Sequence, residues 1–168
     1  MKETPRDFER LQALLDRSVE GAGDFLRASF GMPEHSLSAV QLARLLQGTQ
    51  TVALATVTRG GEPRVAPTGA LFYRGRFHVP TVATAARTRH LLERPAVSLT
   101  LYGENDLAII AHGRAEVLGR DHPEFPPLED AFREPGGGSV LDWGEGVYLR
   151  VEAEKTFTFA RYPERFGG

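Results

Sequence analysis

The chain has 168 residues, 41% apolar and 25% charged, with a net charge of −2 and no cysteine. That length holds one sizeable core rather than two ordinary domains. Near-neutral charge gives no global reason to expect nucleic acid or an anionic membrane as partner, and without cysteine there are no disulfides, thiol nucleophiles or thiolate metal sites. No apolar run is long enough to cross a bilayer, so a soluble cytoplasmic protein is expected.

The first 47 residues read as helical. Thr4 is placed to cap a helix opening at Pro5, with Asp7 in its first turn and Phe8, Leu11, Leu15 and Val19 at helical spacing. After Gly21-Ala22-Gly23 the apolar residues Phe25, Leu26 and Phe30 make a second short helix or a packed connector, stopped by Gly31-Met32-Pro33. Ser38 and Gln41 have capping-box spacing, with Leu37 and Leu42 where a hydrophobic staple would put them, and Gly48 closes that helix.

At Thr51 the period changes from helical to alternating. Thr51–Thr58, Arg64–Tyr73 and Arg76–Val79 read as three strands, joined by Gly60-Gly61-Glu62-Pro63 and by Arg74-Gly75 into an antiparallel meander. Pro67 cannot donate to a ladder and belongs at an edge or bulge. Thr84 is placed to cap a short helix, Ala85–Glu93, closed by Pro95. Ala96–Tyr102 and Leu107–Val117 are two more strands, with Gly113 predicting a bend or bulge. A proline- and glycine-rich excursion over 119–139 carries a helical possibility at Leu128–Arg133. Its Gly136-Gly137-Gly138 run reads as a mobile loop, and its Glu124, Glu129 and Asp130 read as solvated charges. Two strands end the pattern, Val147–Val151 and Thr156–Phe159, separated by Glu154-Lys155.

These connections are too short for parallel crossovers. The fold class expected from this pattern is mainly β, an antiparallel β-barrel with N-terminal helices. Residues 1–47 would form a helical segment packing on a barrel of residues 48–168.

Catalytic constellations are scarce. His35, His78, His90, His112 and His122 show no metal-site spacing, Ser139 is not in a nucleophile elbow, and the glycine run lacks the Lys-Ser/Thr of a P-loop. No catalytic side chain and no metal ligand is therefore assigned. Thr84, Arg87 and Arg89 fall on the first turns of the short helix, where free N–H groups and the dipole favour an anion, and Arg64 lies on a neighbouring strand. From the residues alone a solvated helix face is the better account of these arginines, since basic helix starts are common and no glycine-rich loop accompanies this one. Trp143 reads either as a core anchor or as an interface residue.

The order of features from Leu42 to Leu101 resembles the split-barrel flavin and deazaflavin oxidoreductases related to pyridoxamine 5'-phosphate oxidase. The residues carrying the resemblance are Val52-Ala53-Leu54-Ala55-Thr56-Val57, the Gly-Gly-Glu-Pro turn, Arg64-Val65-Ala66-Pro67, and Leu91-Leu92-Glu93-Arg94-Pro95-Ala96-Val97-Ser98-Leu99. The ending Phe159–Gly167 is similar to that family's last strand and tail. The resemblance implies an FMN-binding homodimer with cofactor sites at the interface, acting on a small organic molecule by hydride transfer. It implies that Arg64, Thr84, Arg87 and Arg89 hold the cofactor phosphate, and that Val65, Ala66, Pro67 and Thr68 lie against the ring. A deazaflavin coenzyme in place of FMN is the first alternative. A non-enzymatic flavin or haem carrier is the second, with His78, His90 or His112 as axial ligand. The helix start carries Ala85-Ala86-Arg87 instead of the family's basic pair, and the tail that contacts pyridoxal phosphate is not recognisable. Both departures argue against pyridoxamine-phosphate oxidation itself.

Overall fold

The structure is a computed structural model and describes residues 2–103, 106–134 and 138–167. Three helices lead: α1 (Pro5–Glu20), α2 (Asp24–Ser29) and α3 (Ala39–Leu45). Thr4 and Asp7 cap α1 reciprocally, and Ser38 and Gln41 do the same for α3, as the sequence spacing requires. The apolar face of α1 places Leu11 and Leu15 in the main core, and Ser18 Oγ accepts from Thr156 N at 2.9 Å. The segment 24–29 is a helix rather than a connector.

Six strands follow, β1 (Thr49–Val57), β2 (Pro63–Tyr73), β3 (Arg76–Val82), β4 (Ala96–Gly103), β5 (Leu107–Leu118) and β6 (Gly146–Ala160), with α4 (Ala86–Glu93) and α5 (Phe125–Arg133) between them. They close an antiparallel barrel in the order β1-β2-β3-β6-β5-β4. Its interior is filled by alternate residues such as Val52, Leu54, Val79, Leu99, Ile109 and Leu149, the packing that a small barrel needs. The β2–β3 hairpin turns through Arg74 and Gly75, both at positive φ, the conformation that a two-residue connection between twisted strands favours.

The barrel is split between β2 and β3. These strands pair only over Leu71–Tyr73 and Arg76–His78, so β2 from Pro63 to Ala70 is laddered to β1 alone. Pro67 lies on that free edge, where its missing N–H costs no ladder bond.

Two expectations are corrected. The final two strands are one 15-residue strand, and the polar Glu154-Lys155 pair is not a turn. The register against β5 jumps from His112↔Lys155 to Gly113↔Ala153, so Glu154 is the extra residue of a bulge that bends the strand without ending it. Gly113 sits at this bulge, as its place in the sequence predicted. The helix after β3 begins one residue later than expected, with Ala85 at the N-cap and no side-chain cap; Thr84 does not cap it.

The excursion between β5 and β6 is a packed lobe. Helix α5 and a 3-10 turn (Val140–Trp143) bury Phe125, Leu128, Phe132 and Val140 against Leu71 and Tyr148. Of the charges expected to be solvated, Asp130 is exposed, Glu129 is buried and Glu124 is half-buried. The Glu129 carboxylate accepts from Ser139 Oγ, Val140 N and Tyr148 Oη. Gly136 and Gly137 of the glycine run, and Glu104-Asn105 of the turn before β5, lie outside the described residues.

Glu124 anchors the other end of the lobe. Arg150 Nη1 reaches it at 2.8 Å, and Arg150 also meets Glu116 at 2.6 Å and Glu152 at 2.9 Å. His78 and Arg150 hold the Glu124 carboxyl down at about 2, against the burial that pushes it up. With His78 Nε2 3.9 Å from the carboxylate, beyond hydrogen-bond range, the contact that carries this is Arg150. The His78 ring is buried, donates through Nδ1 to Arg76 O at 3.2 Å and leaves Nε2 without a hydrogen-bond partner. Burial lowers its pKa below the ordinary histidine value. Both groups bind protons more readily when the chain is unfolded, so both contribute stability that is lost on acidification. Stability should begin to fall as pH drops below the ordinary histidine range and fall further from about pH 4.5 toward 2 as Glu124 protonates. Thermal melts across pH 7 to 3 check this, with Glu124→Gln expected to flatten the limb below about pH 4.5; an unchanged limb in that variant would assign acid lability to other groups.

Candidate functional site

The site is set by where α4 meets the free edge of β2. In β1, Val52, Leu54 and Thr56 share one face, and near the strand's end α4 lies over that face. His90 Nδ1 of α4 is 3.0 Å from Thr56 Oγ1. Between α4 and the first residues of β2 opens a cleft of about 540 Å³, lined by Leu54, Thr56, Thr58, Arg64, Val65, Ala66, Ala85, Ala86, Arg87 and His90. Its volume is that of a small-molecule site, and its lining carries two guanidinium groups and no carboxylate.

Of the residues expected from the sequence, Arg64, Val65, Ala66 and Arg87 are brought together here. Thr68 lies one step along β2, in an adjoining hollow of about 510 Å³ that it shares with Arg87. Pro67 is exposed on the β2 edge and lines neither space. Thr84 is exposed, and Arg89 turns back to donate to the Thr84 carbonyl at 2.7 Å; neither lines the cleft. Thr88 Oγ1 donates to Val82 O at 2.8 Å, which ties the helix start to the end of β3.

The electrostatics favour an anion. No side chain caps α4, so its first-turn N–H groups lie at the positive helix end without one. Arg87 has no ion-pair partner among the described residues. Arg64 pairs with Glu62 at 2.6 Å, both side chains more than half exposed, a contact worth little in water that a stronger anion can displace. Residues fit for a phosphate are therefore present, beside a strand edge whose free backbone groups can read a flat polar ring.

Leu54, Thr56, Thr58, Ala85 and Ala86 were missed as lining residues, and His90 was named only as a candidate haem ligand. A signal existed for Thr56, a hydroxyl in phase with Val52 and Leu54 that needs a partner once buried. Among the histidines, His90 alone of the three axial candidates lines the cleft, since His78 is buried and His112 meets Ser98 Oγ at 2.7 Å on the β4–β5 ladder. Among the described residues no three His, Asp or Glu side chains converge as a metal site, and no helix is long and apolar enough to cross a membrane.

This split barrel, with its helix-start cleft, defines the class. The family model for pyridoxamine 5'-phosphate oxidase matches residues 40–158, more than half of the chain, and the chain belongs to that family. No curated protein matches it in sequence. A conserved hypothetical protein of Mycobacterium tuberculosis superposes with a TM-score of 0.64 at 20% identity, over 76% of this chain and 88% of its own. The haem storage protein HutZ of Vibrio cholerae gives 0.61 at 18%, over 72% and 94%. An FMN-binding protein of Nostoc punctiforme related to pyridoxamine 5'-phosphate oxidase gives 0.51 at 14%, over 64% and 72%. At these identities the likeness is one of fold.

Proposed function

We propose that the chain is a homodimeric FMN-dependent oxidoreductase acting on a small organic molecule, with the cofactor in the α4–β2 cleft. The observation that carries the reading is the convergence of Arg64, Arg87 and the uncapped start of α4 on one cleft beside the free edge of β2. Family membership and the fold shared with an FMN-binding protein support it. Bound flavin would supply the hydride chemistry, and the chain would bind, orient and shield it. Arg87 and Arg64 would clamp the phosphate through charge-assisted bonds, the N–H groups of α4 would complete its shell, and Val65 and Ala66 would lie against the ring. The exposed apolar residues Val65 and Leu92, on the two elements that form the cleft, support a second copy covering it.

FMN titration followed by flavin fluorescence tests the reading. Arg87→Ala and Arg64→Ala are each expected to weaken binding by roughly 10- to 100-fold, with the far-ultraviolet spectrum unchanged. If wild type binds neither FMN nor a deazaflavin, the reading fails. If the deazaflavin alone binds, the same clamp serves that cofactor. A haem reading has one observation in its favour, His90 in the cleft; it predicts a Soret band on haem titration that His90→Ala abolishes. Sedimentation of the loaded protein at the monomer mass would remove the dimer.

A further inference from the structure

Helix α1 lies outside the segment 40–158 that matches the family. Between it and the barrel is a pocket of about 190 Å³ that shares no lining residue with the cofactor cleft or with the hollow beside it. The helix crosses this pocket as a bridge held at two points. Arg10 donates to the Arg74 carbonyl in the β2–β3 hairpin, and about two turns further on Ser18 Oγ accepts from Thr156 N of β6. The hairpin backbone approaches so closely that a Cβ at Gly75 would stand 3.6 Å from Leu11 Cβ. These contacts fix the height of α1 over the barrel, so the space below it is set by backbone positions rather than by one movable side chain.

The lining is divided by chemistry. Leu11, Leu42, Phe77 and Val151 belong to the main core and form its floor, none more than 4% exposed. Arg10, Leu14 and Arg17 follow at i, i+4 and i+7 along α1, which puts them on one helix face. Arg76 joins them from β3 and Glu152 from β6. Arg10 and Arg17 are exposed, so the cationic side is the mouth. Arg76 Nε holds Glu152 at 2.8 Å, and Arg10 pairs with Asp7 at 3.1 Å. Arg17 has no ion-pair partner among the described residues. One cation is therefore unmatched at the mouth of an apolar space.

We infer that this pocket binds a small monocarboxylate with an apolar tail, its head group on Arg17 at the mouth and its tail among the core residues below. Each part of the lining excludes another class of ligand. A cation would meet three guanidinium groups, of which Glu152 already occupies one. A dicarboxylate would press its second charge onto a floor that offers no polar partner, and an unpaired charge is not tolerated there. A bare carboxylate such as acetate forms the charge-assisted bond but buries no tail. The volume limits the tail. An apolar cavity of ~150 Å³ encloses one benzene molecule, so about 190 Å³ takes roughly six to eight carbons.

Isothermal titration calorimetry of the full chain with octanoate tests the site. Octanoate should bind once per chain with a Kd of about 1 mM or tighter and raise the melting temperature. Octylammonium, acetate and the dicarboxylate suberate should each bind at least about 10-fold more weakly. Arg17→Gln should lose about 10-fold in octanoate affinity, with an unchanged far-ultraviolet spectrum and unchanged FMN affinity. Leu14→Trp, which fills the pocket from the helix, should abolish octanoate binding. Equal binding of octanoate and octylammonium, or equal octanoate affinity in wild type and Arg17→Gln, would overturn the site. So would octanoate binding that Arg87→Ala removes and Leu14→Trp leaves intact, because the anion would then sit in the cofactor cleft. Wild type that binds no octanoate overturns it outright and leaves the space under α1 as a gap in the packing.

Discussion

Replacing Gly113 by alanine is expected to destabilise the protein by about 3 kcal/mol and to lower its melting temperature by roughly 10 °C. A Cβ at this position would stand 2.1 Å from the Glu152 carbonyl oxygen and 2.9 Å from Ala153 Cα. Both are backbone atoms of the strand paired with it across the bulge, so no flexible side chain can swing away. Relief requires β5 and β6 to separate where their register jumps, and these two strands share the longest ladder of the barrel, running from Leu107↔Ala160 to Leu118↔Tyr148. Gly119→Ala is the control, since nothing lies within 4 Å of a Cβ there and its φ is not in the left-handed region; it should be neutral within about 0.5 kcal/mol. Calorimetry or melts by circular dichroism decide the matter, and an unchanged midpoint for Gly113→Ala would mean that the bulge can slip its extra residue to another position.

Gly113 also shows what the sequence makes legible. A glycine inside a run that otherwise reads as a strand has few explanations other than a bulge or close backbone approach, so the bend could be placed from the residue alone. The caps of α1 and α3 were legible for a similar reason, since a capping box is satisfied within four residues and needs no tertiary partner. The bulge on the other strand was not legible. Glu154-Lys155 looks like a turn because two charges in sequence leave solvent-facing backbone as the simplest expectation, and only pairing with β5 shows the chain running on through them. Thr84 illustrates a converse error. A threonine before a short helix satisfies the capping rule, but α4 is positioned by Thr88 bonding back to Val82, and the cap is left open beside the cleft. Of the candidate site, the sharing of one phosphate site by Arg64 and Arg87 was an expectation of the family resemblance alone, because nothing local in either segment shows that the barrel topology brings β2 and α4 together. The lobe was least legible: Glu129 finds its partners at 139, 140 and 148, none of which marks itself in sequence as a match for a buried carboxylate.

The same carboxylate gives the second large effect. Glu129→Ala is expected to cost about 3 to 4 kcal/mol, because it strands Ser139 Oγ, Val140 N and Tyr148 Oη inside the lobe, and each buried donor left without an acceptor costs about 1–3 kcal/mol. Part of this is offset by no longer burying a charge, whose nearest cation, Arg133, stands 3.9 Å away. Glu129→Gln should cost less, since its amide keeps the volume and one acceptor oxygen while the NH2 faces a donor. Tyr148→Phe should cost least, about 1 kcal/mol, because the carboxylate retains two partners. Its burial and the charge of Glu129 raise the Tyr148 pKa, so the phenol stays protonated and donating at neutral pH. The order Ala, Gln, then Tyr148→Phe is read by urea denaturation at constant slope. Trp143 lies three residues past Val140 on the turn that Glu129 holds, so its emission reports the lobe while circular dichroism reports the barrel. In Glu129→Ala the emission transition should precede the circular dichroism transition, as expected when a locally weakened unit opens before the whole. If Glu129→Ala matched wild type in stability, the three hydrogen bonds would carry no net weight, and the orientation of Trp143, half-exposed at the end of the turn, would have to come from its edge-on contact with Phe132 alone.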